Sequence, residues 1–141
     1  MFKKHCAAAV VLSMSVSASH GSEVCEGEAT QVSEFVDIKR QFLDGEYENF
    51  FSGLSSLDFS DGDVESVVDT LKRAFPIGFA YCAYLVSEQV SENLNLEILL
   101  YEDENSNTIF LYLSSIRSRS GWKPVHFHVS TSFQEVADLW R

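Results

Sequence analysis

"GWKPVHFHVS", residues 121 to 130, sets His126 and His128 one residue apart in a stretch with strand character. Successive side chains on a strand point to opposite faces. Both imidazoles therefore face one way, with Trp122, Pro124 and Ser130 beside them and Val125, Phe127 and Val129 opposite. Two side chains so placed can converge on one metal ion, but a closed or catalytic metal site needs at least a third ligand. The remaining histidines, His5 and His20, stand at the start of the chain, and Glu97 or Asp103 would have to be brought in by folding. The ligand count is short, so neither a metal nor any other cofactor is expected.

Other groups that do chemistry are sparse. Glu97 is the single carboxylate inside the second strand's pattern, while Glu88 and Asp103 stand near strand ends. Tyr81, Tyr84, Tyr101 and Tyr112 can line a pocket, although a strand tyrosine more often packs. Arg117 and Arg119 could join His126 and His128 in holding an anionic group. The plainer account has the arginines decorating a hairpin and the imidazoles hydrogen-bonded on a polar face. The candidate ligand-binding residues are thus Trp122, His126, His128, Tyr101, Tyr112 and Arg117, and no catalytic residue is assigned. No Gly-rich phosphate loop, nucleophile elbow or metalloprotease helix occurs. Cys25 and Cys82 lack the spacing of a redox motif. In an oxidising compartment they could pair and tie the segment before the first helix to the first strand, but spacing alone leaves their separation in space open.

The compartment follows from the first residues. "MFKKHCAAAVVLSMSVSASHG" runs from the basic pair Lys3 and Lys4 through a short apolar run to small residues near Ala18. This is the order of a secretory signal peptide, with cleavage expected after Ala18. Residues 1–18 are then the signal and 19–141 one domain, secreted or periplasmic, with no stable membrane insertion after cleavage. Cleavage removes two lysines and no acid, so the formal charge of −11 becomes −13. Such a surface repels phosphate backbones, which excludes nucleic acid as a partner class. With 45% hydrophobic residues and 11 Phe, the chain has ample material for a core.

These residues must be positioned by elements whose periodicity is legible. Val32, Phe35, Val36, Phe42 and Leu43 recur at helical spacing within residues 28–43, stopped by Asp44-Gly45. Tyr47, Phe50, Phe51 and Leu54 mark a short second helix. Ser60-Asp61-Gly62-Asp63 opens a third, with Val64, Val67, Val68, Leu71 and Phe75 on one face and Pro76 at its end. Beyond Pro76 the period changes to two. Four runs rich in aromatic and β-branched residues, separated by short polar turns, predict an antiparallel meander. Ser132-x-x-Glu135 reads as a capping box for a final helix carrying Phe133, Val136, Ala137 and Trp140 on one stripe. The fold class is α+β: three N-terminal helices, then a curved four-stranded antiparallel sheet and a short C-terminal helix, together cone-shaped.

"GWKPVHFHVS" also resembles the last strand of the nuclear-transport-factor-2-like superfamily, especially the association domain of calcium/calmodulin-dependent kinase and polyketide-cyclase-like bacterial proteins. "FLDGEYENFFSGLS" is similar to that superfamily's junction between helices one and two. The resemblance spans about residues 28 to 131 in order of elements, and these two motifs carry it. It implies a cone with a pocket between helix and sheet, and homodimers formed through the outer sheet face. Pro124 departs from the pattern by removing a ladder donor, so a bulge or an edge position is expected there. The function expected on this footing is a non-catalytic domain binding a small molecule or a protein partner in or beside the cone. The alternatives are a small isomerase-, dehydratase- or hydrolase-type enzyme acting on an apolar substrate, with Glu97 as base and His126 or His128 as acid, and an inhibitor or chaperone-like module. An interior filled by side chains around Trp122 and His126 would remove both the ligand-binding and the enzymatic versions.

Overall fold

Apolar residues three and four apart make the helices, and polar or glycine-bearing turns cut them short. The computed structural model describes residues 24–27 and 33–141. The expected signal segment, His5, His20 and residues 28–32 of the expected first helix lie outside the described residues. A 3-10 turn, Ser33–Phe35, leads into α1 (Val36–Leu43), which buries Ile38, Lys39 and Phe42. Next come α2 (Tyr47–Gly53) and α3 (Asp61–Ala74). The Ser60 hydroxyl accepts the amide of Asp63 at 3.3 Å, satisfying a donor that the first turn of α3 leaves open. Phe75 ends the helix before Pro76, as the ring of a proline requires.

The α1–α2 turn is held by backbone against backbone. Gly45 and Gly78 both take positive φ, +77° and +75°. A Cβ on Gly78 would lie 2.4 Å from the Leu43 carbonyl oxygen and 2.6 Å from the Gly45 nitrogen. The Phe79 amide donates to that same Leu43 carbonyl at 2.7 Å, locking the turn to the approach of the first strand.

Strands β1 (Tyr81–Ser91), β2 (Leu94–Glu102), β3 (Thr108–Ser118) and β4 (Gly121–Ser130) form one antiparallel sheet in the order β1-β2-β3-β4, the expected meander. Register shifts fall between Tyr84 and Val86, between Gln89 and Ser91, and in the β3–β4 pair, where Ser114 faces His126 but Ser115 faces Pro124. Bulges of this kind bend and twist a strand, and the sheet is curved. Leu99, Tyr101, Ile109, Leu111 and Leu113 pack on the helices. Ile98 and Tyr112 point the other way and are covered by Val136 of α4 (Phe133–Asp138). The fold is therefore α+β, with helices α1 to α3 on one side of the sheet and α4 on the other.

Phe42 sits at the middle of the helix-side core. Its ring lies within 5.5 Å, centroid to centroid, of Tyr47, Phe50, Phe79 and Tyr101. Residues 24–27 close the far edge of β1: Glu26 donates to the Cys82 carbonyl at 2.9 Å and accepts from the Tyr84 amide at 2.8 Å. Cys25 and Cys82 are joined by a disulfide, with their Cα atoms 4.7 Å apart. The short parallel bridge brings the two sulfurs together.

At the C terminus the expected capping box does not form. Ser132 makes no side-chain cap bond, and Glu135 accepts instead from the Ser130 hydroxyl at 2.5 Å. The hydroxyl of Ser130, at the end of β4, competes successfully for the carboxylate. Helical geometry ends at Asp138, and Trp140 is exposed rather than part of a buried stripe. Among the described residues no helix is long and apolar enough to cross a membrane.

Candidate functional site

One residue decides which side chains can act together. Val125 is the extra residue of the β4 bulge, so the alternation expected from Trp122 to Ser130 breaks at that point. Trp122 and Pro124 turn to the helix side with Phe127 and Val129, and Trp122, Phe127 and Val129 pack on the helix-side core. His126 and His128 still share a face, but it is the opposite one. The expectation that Trp122 and Pro124 stand with the two histidines is corrected: Pro124 lacks the amide that regular pairing would use, and the ladder slips beside it.

The six candidate residues accordingly split into two groups. Tyr101 is fully buried in the helix-side core, where its hydroxyl donates to the Lys39 carbonyl at 3.4 Å. Trp122 is half-buried on that side, with the exposed Arg117 opposite it in the ladder. Tyr112, His126 and His128 lie on the other face. Tyr112 is buried there against Val136, and the His126 ring meets it edge-on at 5.5 Å. His128 Nε2 lies 3.8 Å from a Glu135 oxygen, an ion pair only when the imidazole is protonated. Glu97, on the helix side, is separated from both histidines by the sheet, so the three do not share one substrate position. Among the described residues no cluster of three or more His, Cys, Asp or Glu side chains is placed to hold a metal.

The helix-side interior contains a polar group that the candidate set omits. Lys39 Nζ lies 2.8 Å from Glu97 Oε2, with the two side chains 2% and 1% exposed. The same ammonium donates to the Tyr84 hydroxyl at 2.9 Å. Glu97 Oε1 has no hydrogen-bond partner among the described residues. Removing two charges from water is costly, and close pairing offsets that cost only while both partners remain. Lys39 was detectable in principle. It falls between Phe35 and Phe42 on the apolar stripe of α1, where a solvated charge has no place. Glu97 shares the buried face of β2 with Leu99 and Tyr101, a comparable signal.

Burial also acts on the neighbouring phenols. Tyr47 donates to the Phe75 carbonyl at 2.7 Å, and desolvation pushes its pKa up to about 12. Tyr101 is pushed well above its ordinary value, first by burial and then by the nearby Tyr84 and Glu97. Both hydroxyls are held protonated as structural donors.

Open space lies outside this packed interior. A groove of about 570 Å³ runs between α2 and α3, lined by Phe51, Leu57, Phe59, Val64 and Val68 and by the carboxylates Glu48, Glu65 and Asp69. A smaller hollow of about 250 Å³ shares Leu57 and Phe59 and extends to Val125, His126 and Phe127 of β4. No family model matches the chain, and no curated protein matches it either.

Proposed function

We propose that the chain is an exported, non-catalytic binding domain of the nuclear-transport-factor-2-like type, homodimeric through the outer face of its sheet, engaging a protein partner beside its filled helix–sheet interior. The observation that carries this reading is the filling of that interior. Phe42, Tyr101, Leu99, Leu111, Leu113 and the Lys39–Glu97 pair occupy the space where an enzyme of this architecture would need a substrate. With Glu97 paired and screened from both histidines by the sheet, the acid–base couple that catalysis would require is not assembled.

The order of elements supports the family reading, with helical segments first and then a meander whose last strand is bulged. Export is supported by the leader-like start of the chain and by a disulfide, which persists in oxidising compartments. The outer sheet face supports pairing. Val86, Leu96 and Phe110 lie half-buried beside α4, and Ile116 is 40% exposed at the end of β3. A second copy would remove this apolar surface from water.

The test is sedimentation equilibrium of the mature chain. A dimer that falls to a monomer in the Leu96→Lys/Ile116→Lys variant, with the melting curve preserved, is the expected result. A wild-type monomer at all concentrations would end the pairing claim. Mass spectrometry of the exported product should place its first residue after Ala18, and an intact leader on a cytosolic product would end the export claim.

A further inference from the structure

The groove between α2 and α3 has a chemistry of its own. Its floor is apolar: Phe51 and Val68 are buried and Leu57, Phe59 and Val64 are half-buried. Its rims are acidic. Glu65 and Asp69 stand one helical turn apart on α3, and among the described residues neither has an ion-pair partner. On the α2 rim Glu48 pairs with Lys72, and this pair lowers the carboxyl pKa of Glu48. Acids also dominate the surrounding sequence: from Gln41 to Leu71 there are eight Asp or Glu residues and no Lys, Arg or His, with Lys72, the partner of Glu48, and Arg73 directly after. The unpaired carboxylates of the α3 rim, set beside an apolar floor, focus negative potential and draw the opposite charge.

We infer that this groove docks a basic amphipathic peptide segment of a partner protein, laying apolar side chains on Phe51, Leu57, Phe59 and Val68 and lysines or arginines against Glu65 and Asp69. The inference rests on the binding-domain reading above and names its partner class. Helix-in-groove recognition uses this arrangement, apolar anchors one turn apart flanked by charges that fix orientation. Carboxylates at i and i+4 match cations one turn apart on an incoming helix. The second hollow, on the other side of Leu57 and Phe59, lengthens the path towards Val125 and Phe127. That length suits a chain segment better than a compact amine.

The experiment titrates a capped peptide of Leu and Lys at amphipathic helical spacing into the isotope-labelled mature chain, with amide shifts followed by NMR. Expected are saturable shifts at Phe51, Leu57, Phe59, Val64 and Val68. Affinity should fall roughly tenfold in Glu65→Lys/Asp69→Lys, as loss of close charge pairs at an interface predicts. It should change little in Glu92→Lys/Glu104→Lys, which alters net charge equally but on hairpin turns. Equal weakening in the two variants would mean attraction by overall charge and would overturn the proposal, as would absence of binding or shifts confined to the outer sheet face. Val64→Ser, at a half-buried position, should weaken binding with the melting curve unchanged, and unchanged affinity would remove the apolar floor from the account. Sedimentation of the same samples separates the two readings: peptide binding lost with the dimer intact ends the groove inference alone, whereas a wild-type monomer counts against the broader reading.

Discussion

At the scale of single residues, the buried ion pair Lys39–Glu97 makes the fold depend on both partners. Both side chains are almost wholly buried, and beyond the ion-pair contact neither carboxylate oxygen has a hydrogen-bond partner among the described residues. Glu97→Leu or Lys39→Met alone would leave the other group without its countercharge, at an expected cost of about 3–5 kcal/mol. The double variant Lys39→Met/Glu97→Leu should recover most of that loss, because no isolated charge remains. Urea unfolding of the three variants checks this, and single losses that simply add in the double would show the two residues to be uncoupled. Tyr47 gives a second test. Its folded pKa of about 12 lies above the value near 10 expected when unfolded, so the folded state keeps a proton that the unfolded chain releases. That contribution is complete below about pH 10 and declines as pH rises towards 12, by at most about 3 kcal/mol. Tyr47→Phe should flatten the alkaline limb of the stability curve, and an unchanged limb would assign it to other groups.

At the scale of elements, the turns set where helices and strands meet. Gly78→Ala would force a Cβ into the Leu43 carbonyl at a positive φ, with rigid backbone on both sides. A loss of about 2 kcal/mol or more is expected in thermal melts. Gly62, inside α3, is the contrasting case, because a Cβ there meets nothing within 4 Å. Gly62→Ala should stabilise by a few tenths of a kcal/mol to about 1 kcal/mol. If both alanines behaved alike, the backbone contact between the two turns would not be the cause. The elements themselves were mostly legible. The spacing of Tyr47, Phe50 and Phe51, the Ser60 cap with Pro76 after α3, and the period-two runs of β1 to β4 all describe local geometry. The capping box at Ser132 misled because a local motif competes with any nearby donor, and Ser130 won the carboxylate of Glu135.

At the scale of the whole molecule, the disulfide ties residues 24–27 to the sheet. Cys25 and Cys82 are 57 residues apart, and closing a loop of that length restricts the unfolded chain by about 4 kcal/mol in the chain-entropy account. Cys25→Ser/Cys82→Ser should lower stability by roughly that amount, between about 2 and 5 kcal/mol, measured by denaturant unfolding. A loss well under 1 kcal/mol would mean that the short parallel bridge at Glu26 holds the edge of β1 unaided.

What the sequence determined by itself is the kind and order of the elements, the α+β class, the turn positions and the irregularity at Pro124. All of these arise from interactions between residues close in the chain. Tertiary structure decided the rest. A single extra residue at Val125 placed Trp122 and the histidine pair on opposite faces, because strand alternation carries an inversion onward along the strand. Packing of α1 on β2 joined Lys39 to Glu97 across 58 positions of chain, and the bridge at Glu26 brought two distant cysteines within bonding reach. Each of these depends on distances that periodicity does not encode, since the free energy of a buried charge or a cross-link is defined only once distant segments meet.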